Sequence, residues 1–251
     1  MKRFTMTALF GFGLALGATP VAAQLQGLPV YFNPKGGTGI TIAGDFGRTV
    51  NNKVNGIAAP QKPSTIGARV SLGLPFVTVS VGAGIYDPKV LAQKNEVQYA
   101  GSAALKIFGA PLIPVAVSLQ AGAGVITVGT GTGATKTVNI PVGIGVALNV
   151  PTPGASIEPW VAGRVHVSSV STGGGTTSGT QLGYGASGGI NLGLPIGVGV
   201  HVALDWASFA AKASSPILSQ RNKIERLTVG VGLHYSIKLP GLPGVPIVPG
   251  I

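Results

Sequence analysis

Apolar side chains return at every second position of this chain, run after run, with glycine or a small polar residue between them. Ile66, Ala68, Val70, Leu72 and Leu74 alternate with Gly67, Arg69, Ser71 and Gly73. Val77, Val79, Val81, Ala83 and Ile85 alternate with Thr78, Ser80, Gly82 and Gly84. A third run sets Val138, Ile140, Val142, Ile144, Val146 and Leu148 against Asn139, Pro141, Gly143, Gly145, Ala147 and Asn149. A fourth opposes Leu227, Val229, Val231, Leu233, Tyr235 and Ile237 to Thr228, Gly230, Gly232, His234 and Ser236. Period two belongs to a β-strand whose two sides meet different surroundings. Weaker runs near 38–49, 96–108, 113–128, 156–170, 180–193 and 196–209 fill the gaps. They bring the expectation to about ten strands, with about eight as the smaller alternative. Short Pro-containing links near 74–75, 109–114, 150–154 and 193–196 alternate with longer polar ones at 50–64, 87–95, 129–136, 171–179 and 210–222.

Composition says what those two surroundings are. Charged residues make up 9% of the 251, against about 25% in an ordinary soluble domain. A chain so poor in charge cannot cover a water-facing surface, and one that is 45% hydrophobic is too apolar for disorder. The 41 glycines and 19 prolines exclude a helical bundle, where each interior Gly costs about 1 kcal/mol and each Pro about 3.

The few charges then decide which side is which. Parity puts Asp45, Arg69, Lys106, Arg164, His166, His201, Asp205 and His234 on the small-residue side, as an interior polar network, with Glu158 on that side near a turn. Between strand ends the apolar side carries no Lys, Arg, Asp or Glu. A soluble sandwich would do the reverse, whereas a Lys or Arg facing lipid at mid-depth costs about 2–4 kcal/mol. No later apolar run is long enough for a membrane helix. The sequence therefore predicts an all-β fold, a transmembrane antiparallel up-and-down β-barrel with short periplasmic turns and longer external loops.

Residues 1–23 read as a signal peptide, with Lys2 and Arg3 at its start, an apolar stretch at 9–17 and the small residues Val21, Ala22 and Ala23 at its end. Its removal takes the formal net charge from +11 to +9 through loss of Lys2 and Arg3. Residues 24–37 are expected as an N-terminal periplasmic segment, 38–238 as the outer-membrane barrel and 239–251 as a Pro-rich periplasmic tail. The chain has no cysteine, hence no disulfide and no thiolate metal site.

Three segments carry a family resemblance. Glu158-Pro159-Trp160-Val161-Ala162-Gly163 is a Pro-aromatic strand start followed by glycine, and 183–204 is a Gly-rich hairpin. Thr228, Gly230, Leu233 and Tyr235 form a polar-x-Gly-x-x-apolar-x-aromatic pattern. Together they resemble the outer-membrane β-barrels related to opacity proteins and the OmpA transmembrane domain. In that family the last pattern is the assembly signal of the final strand, which implies the barrel-assembly machinery as a partner during biogenesis. Two features depart from the family: the chain runs past Tyr235 to Ile251, and the family's members have eight strands.

The remaining candidates divide into chemistry and surface. His166-x-Ser168 and His234-x-Ser236 put a base and a hydroxyl on one strand face, as a lipid-modifying enzyme would. The acids Glu158 and Glu225 precede those histidines by a strand's length, about 26 Å, too far to complete a triad within the strand. No metal-ligand spacing occurs, so the expectation is no catalytic residue, no metal and no cofactor. Phe46, Tyr86, Tyr99, Trp206 and Phe209 are expected as an outer aromatic girdle, and Phe76, Phe108, Trp160 and Tyr235 as an inner one. Arg48, Lys53, Lys62, Lys89, Lys94, Lys136, Lys212, Arg221, Lys223 and Arg226 map to predicted loops and strand tips. That basic outer rim suits lipopolysaccharide and membrane lipids; without a basic helix or interleaved aromatics it does not suit nucleic acid. The expected role is structural or surface interaction, with a narrow anion-preferring pore as the alternative and a lipid-modifying enzyme behind it.

Overall fold

The computed structural model describes residues 25–29, 33–34, 36–90, 94–109, 114–172, 176–211 and 222–238. The expected signal peptide and most of the expected tail lie outside them. Ten long strands follow one another: β1 Gly39–Val54, β2 Ser64–Gly73, β3 Val77–Asp87, β4 Glu96–Phe108, β5 Val115–Val128, β6 Thr135–Leu148, β7 Ala155–Thr172, β8 Thr176–Gly193, β9 Val198–Ala211 and β10 Asn222–Ile237. Two short pieces, Ile57–Ala58 and Val150–Thr152, pair back onto β1 and β7. Each strand is antiparallel to the next, and β10 pairs with β1 from Ile40↔Ile237 to Val54↔Ile224. That last ladder closes the sheet, so the fold is a ten-stranded antiparallel up-and-down barrel.

Period two sets the faces. On β2, Ile66, Ala68, Val70 and Leu72 are exposed while Thr65 and Gly73 are buried. On β7, Val161, Gly163, Val165 and Val167 point out while Trp160, Ala162, Arg164, His166 and Ser168 are buried inside. Ile42, Val81, Ile85, Leu105, Leu119, Ile144, Val202, Leu204 and Leu233 continue this apolar exterior around the barrel. Outward-facing charges among the described strand residues (Arg48, Lys53, Asp87, Lys136, Lys223 and Glu225) stand at or near one end.

The two ends differ. At one, strands join through 74–76, 109–114, 149–154 and 194–197, where Gly197 takes the left-handed φ of 88° that a side chain resists. We call this the turn end. At the other, the loop end, connections span 55–63, 88–95 and 212–221. The expected loop at 171–179 is mostly strand, because β7 and β8 pair out to Thr172↔Thr176. Two prolines lie within the long strands, Pro159 near the start of β7 and Pro141 in the middle of β6. Pro141 has no N–H to donate, and the β5–β6 ladder skips from Ala121↔Val142 to Gly124↔Asn139 there, while β7 still pairs Pro141 with His166.

Candidate functional site

The lumen is divided into a filled half and a hollow half. The filler at the loop end is the chain's own N-terminal segment. Leu25 and Leu28 are buried among inward glycines: a Cβ on Gly67 would meet Leu25 Cδ1 at 2.8 Å, and one on Gly47 would meet Leu28 Cδ2 at 2.8 Å. Hydrogen bonds fix the segment. Gln26 N–H donates to Gln98 Oε1 at 2.6 Å, and Gln26 O accepts from Gln98 Nε2 at 2.9 Å and from Thr65 Oγ1 at 2.6 Å. Further along, Pro34 packs where a Gly145 side chain would stand, and Asn33 Nδ2 donates to Glu158 Oε2 at 2.6 Å near the turn end. Thr65 lies at the loop end of β2 and Glu158 at the turn end of β7, so the described parts of the segment span the lumen's length. A periplasmic position was expected for 24–37. The structure instead puts residues 25–29 and 33–34 inside the barrel, because a ten-strand wall faced with glycine leaves a lumen that apolar side chains fill.

Two polar clusters occupy the middle. In one, Arg164 forms an ion pair with Asp205 and donates from Nη1 to Ser187 Oγ at 2.7 Å and from Nε to His166 Nε2 at 3.0 Å. The other ring nitrogen of His166 is 3.4 Å from Asn139 Nδ2, and its ring stacks at a tilt on Phe209, 5.2 Å between centroids. In the second, Asp45 Oδ1 is 2.7 Å from His201 Nε2 and its Oδ2 is 3.4 Å from Arg69 Nε. A carboxylate only accepts, so His201 Nε2 carries the hydrogen of that bond. His201 Nδ1 is in turn 3.3 Å from His234 Nδ1, with the rings stacked at 5.6 Å. Glycine makes both clusters possible: a Cβ at Gly143 would stand 2.7 Å from Arg164 Cβ and one at Gly185 3.0 Å from His166 Nε2, while one at Gly232 would collide with His201 and Asp45 and one at Gly199 with His234.

The interior residues expected from parity therefore all face inward, and seven of the eight enter these two clusters. Lys106 lines the wall of a chamber of about 1000 Å³ in the turn half. The chamber is lined by Thr41, Arg69, Ser71, Ser80, Ser102, Lys106, Glu158, Trp160, Asn191, His201, His234 and Ser236, and opens among the turns. Ser236 Oγ is 2.8 Å from Thr41 Oγ1, and Ser80 Oγ donates to Ser71 Oγ at 2.8 Å. Among the described residues no group of three His, Asp or Glu side chains is placed to hold a metal ion.

At the loop end Arg48, Lys62, Lys89, Lys94, Lys136 and Lys223 are exposed and Lys53 is half-buried. Lys89 Nζ pairs with Asp87 at 2.5 Å and Lys223 Nζ with Glu225 at 2.7 Å. Those lysines hold both carboxyls below their ordinary range, chiefly by side-chain hydrogen bonds. Arg226, expected on the rim, shares the inward parity of Thr228 and is half-buried. Lys212 and Arg221 lie outside the described residues. In the final strand Thr228 and Gly230 are buried inward and Leu233 and Tyr235 are exposed outward.

The expected girdles need correction. Phe46, Tyr99 and Trp206 do face out near the loop end, and Phe76, Phe108 and Tyr235 near the turn end. Tyr86 and Trp160, however, are buried inside at 6% and 4% exposure, and Phe209 meets His166 in the lumen. Their parity already gave this: Tyr86 follows Gly82 and Gly84 by twos, and Trp160 precedes Ala162 and Arg164 by twos. Tyr184 takes an outward place beside Trp206, at 5.5 Å and edge-on.

No known family profile matches the chain. No curated protein matches it either. Solved structures do, at low identity. The outer membrane protease OmpT from Escherichia coli is 11% identical over 79% of this chain and 97% of its own, with a TM-score of 0.41. The beta domain of the Bordetella autotransporter BrkA is 11% identical over 80% of this chain and 100% of its own, with a TM-score of 0.47. Neisserial surface protein A is 13% identical over 80% of this chain and 98% of its own, with a TM-score of 0.38. Identities this low carry no activity across, and the barrel assignment rests on the closed strand register.

Proposed function

We propose that this chain is a small, non-enzymatic outer-membrane β-barrel with a structural or surface-interaction role. One observation carries the reading: an apolar exterior encloses a lumen whose loop half is filled by the chain's own N-terminal residues. A closed barrel satisfies its backbone hydrogen bonds internally, which is what hydrocarbon demands of any strand that crosses it. A self-filled lumen argues against a through-pore. Ser236 bonds Thr41, and His166 bonds Arg164 and Asn139, so these bonds join neither Ser236 nor Ser168 to the histidine two places before it. The exposed lysines at the loop end support a surface that meets anionic lipopolysaccharide outside the cell, and the final-strand pattern supports delivery by the barrel-assembly machinery.

The test is threefold on one preparation. The protein should fractionate with the outer membrane, migrate faster unheated than heated on gels, and give no channel steps in planar bilayers. A freely soluble periplasmic protein would sink the membrane assignment, and steady discrete conductance would favour the narrow anion-preferring pore. Replacing Lys212, Arg221 and Lys223 with Gln should weaken lipopolysaccharide association, and unchanged association removes that partner.

A further inference from the structure

The chamber in the turn half needs an explanation that a surface role does not supply. Its described lining lies among the turns and on the turn-half wall, apart from the glycines that meet Leu25 and Leu28. At about 1000 Å³ it lies at the upper end of the size of small-molecule sites. Its chemistry is lopsided. His201 on β9, His234 on β10, Arg69 on β2 and Lys106 on β4 stand on one continuous arc of wall, interleaved with Thr41, Ser71, Ser80, Ser102 and Ser236. Lys238 stands at the mouth. Among the described lining residues the one carboxylate, Glu158, is on β7, beyond that arc, and accepts from Asn33. Asp45, buried on β1 within the same arc, is bonded to Arg69 and His201 and offsets part of that charge, which leaves Lys106 and Lys238 on the positive side.

A second observation points the same way. Trp160 borders the chamber, and its buried indole Nε1 has no hydrogen-bond partner among the described residues. Buried donors are nearly always paired, so a leftover N–H beside a pocket suits a ligand rich in acceptor oxygens. Hydroxyl and amide side chains suit a polyol, and a guanidinium with an ammonium suits an anionic group.

We propose that the turn-half chamber binds an anionic sugar, phosphorylated or carboxylated, with the charge toward Arg69 and Lys106 and the hydroxyls toward the Ser/Thr wall. The proposal stands on the lining and holds whatever the loop end contacts. Calorimetry on the full chain in a nonionic detergent tests it, with glucose 6-phosphate and glucuronate as probes and glucose as the neutral control. Saturable binding of at least one charged sugar is expected, with glucose about tenfold weaker or more. Lys106→Gln should weaken the charged sugar about tenfold. Ala104→Leu, which fills the chamber without touching charge, should weaken it as well, and Asp87→Asn at the loop end should leave it unchanged. Folding of each variant is read from the unheated gel mobility. The proposal is overturned by no binding of either charged sugar at about 20 mM. Equal affinity for glucose overturns it too, as does undiminished binding in both chamber variants.

Discussion

The two halves of the lumen share the same ten strands and the same small inward residues, yet one is packed and the other hollow. In the loop half, Gly47, Gly67 and Gly84 form sockets for Leu25 and Leu28, and the Arg164–Asp205 pair stands next to it in the middle of the lumen. In the turn half hydroxyls, two histidines and a few long cations, with Trp160, Asn191 and Glu158 beside them, surround an open chamber. Small residues alone do not determine whether a barrel is closed. They create volume, and the outcome depends on whether another part of the chain is positioned to fill it.

The largest test of that contrast is the buried ion pair. Asp205→Ala leaves the Arg164 guanidinium buried without its counter-charge, a change that costs about 3–5 kcal/mol. Urea unfolding in detergent, followed by tryptophan fluorescence, should show it as a lower midpoint. Replacing both partners with apolar residues, Arg164→Met with Asp205→Leu, should recover most of the loss, since removing a buried pair together is often neutral. If the double variant is as weak as the single one, the cluster is held by Ser187 and His166 more than by charge.

The filler itself is next. Leu28→Ala should cost about 2–3 kcal/mol, from the lost burial of the deleted methyls and the cavity they leave. It should also loosen the segment enough for brief channel openings in bilayers where the parent chain is silent. Stability loss without openings would mean that the middle clusters alone block the lumen.

A third comparison adds volume to each half. Gly67→Ala puts a methyl 2.8 Å from Leu25 Cδ1 and 3.1 Å from the Ala83 carbonyl, and should destabilise by about 1 kcal/mol through overpacking. Ala104→Val in the chamber wall has room and should stay within about 0.5 kcal/mol of the parent. Equal effects at the two sites would erase the distinction between filled and hollow.

What the sequence revealed follows the same division. The faces of Arg69, Arg164, His201 and His234 were legible because period two is a local property: each residue's neighbours two places away announce its side. Partners were not. That Asp45 would meet His201, 156 positions away, depends on the registers of β9 with β10 and of β10 with β1, and alternation says nothing about register. Leu25 and Leu28 were harder still, since their segment belongs to no strand and carries no period to read. Tyr86 and Trp160 were misplaced for a different reason. Closeness to a strand end suggested a girdle, while their own parity pointed inward and was the better guide.

The smallest expected effect belongs to the loop-end pairs, and its smallness is the point. Asp87 and Glu225 have carboxyl pKa values lowered by hydrogen bonds from Lys89 and Lys223. A carboxyl lowered on folding stabilises above its unfolded pKa, near 4, and that contribution is lost as pH falls through the lower folded value. Thermal unfolding followed between about pH 7 and 5 should therefore not feel these groups, and only a small decline should appear below about pH 4. Both pairs stand in water, so about 1 M salt should abolish that decline by screening. The Arg164–Asp205 pair is shielded by the barrel wall, and its cost on mutation should be nearly the same with and without the salt. If salt reduced both effects alike, water would have to reach Arg164, and the middle of the lumen would not be packed.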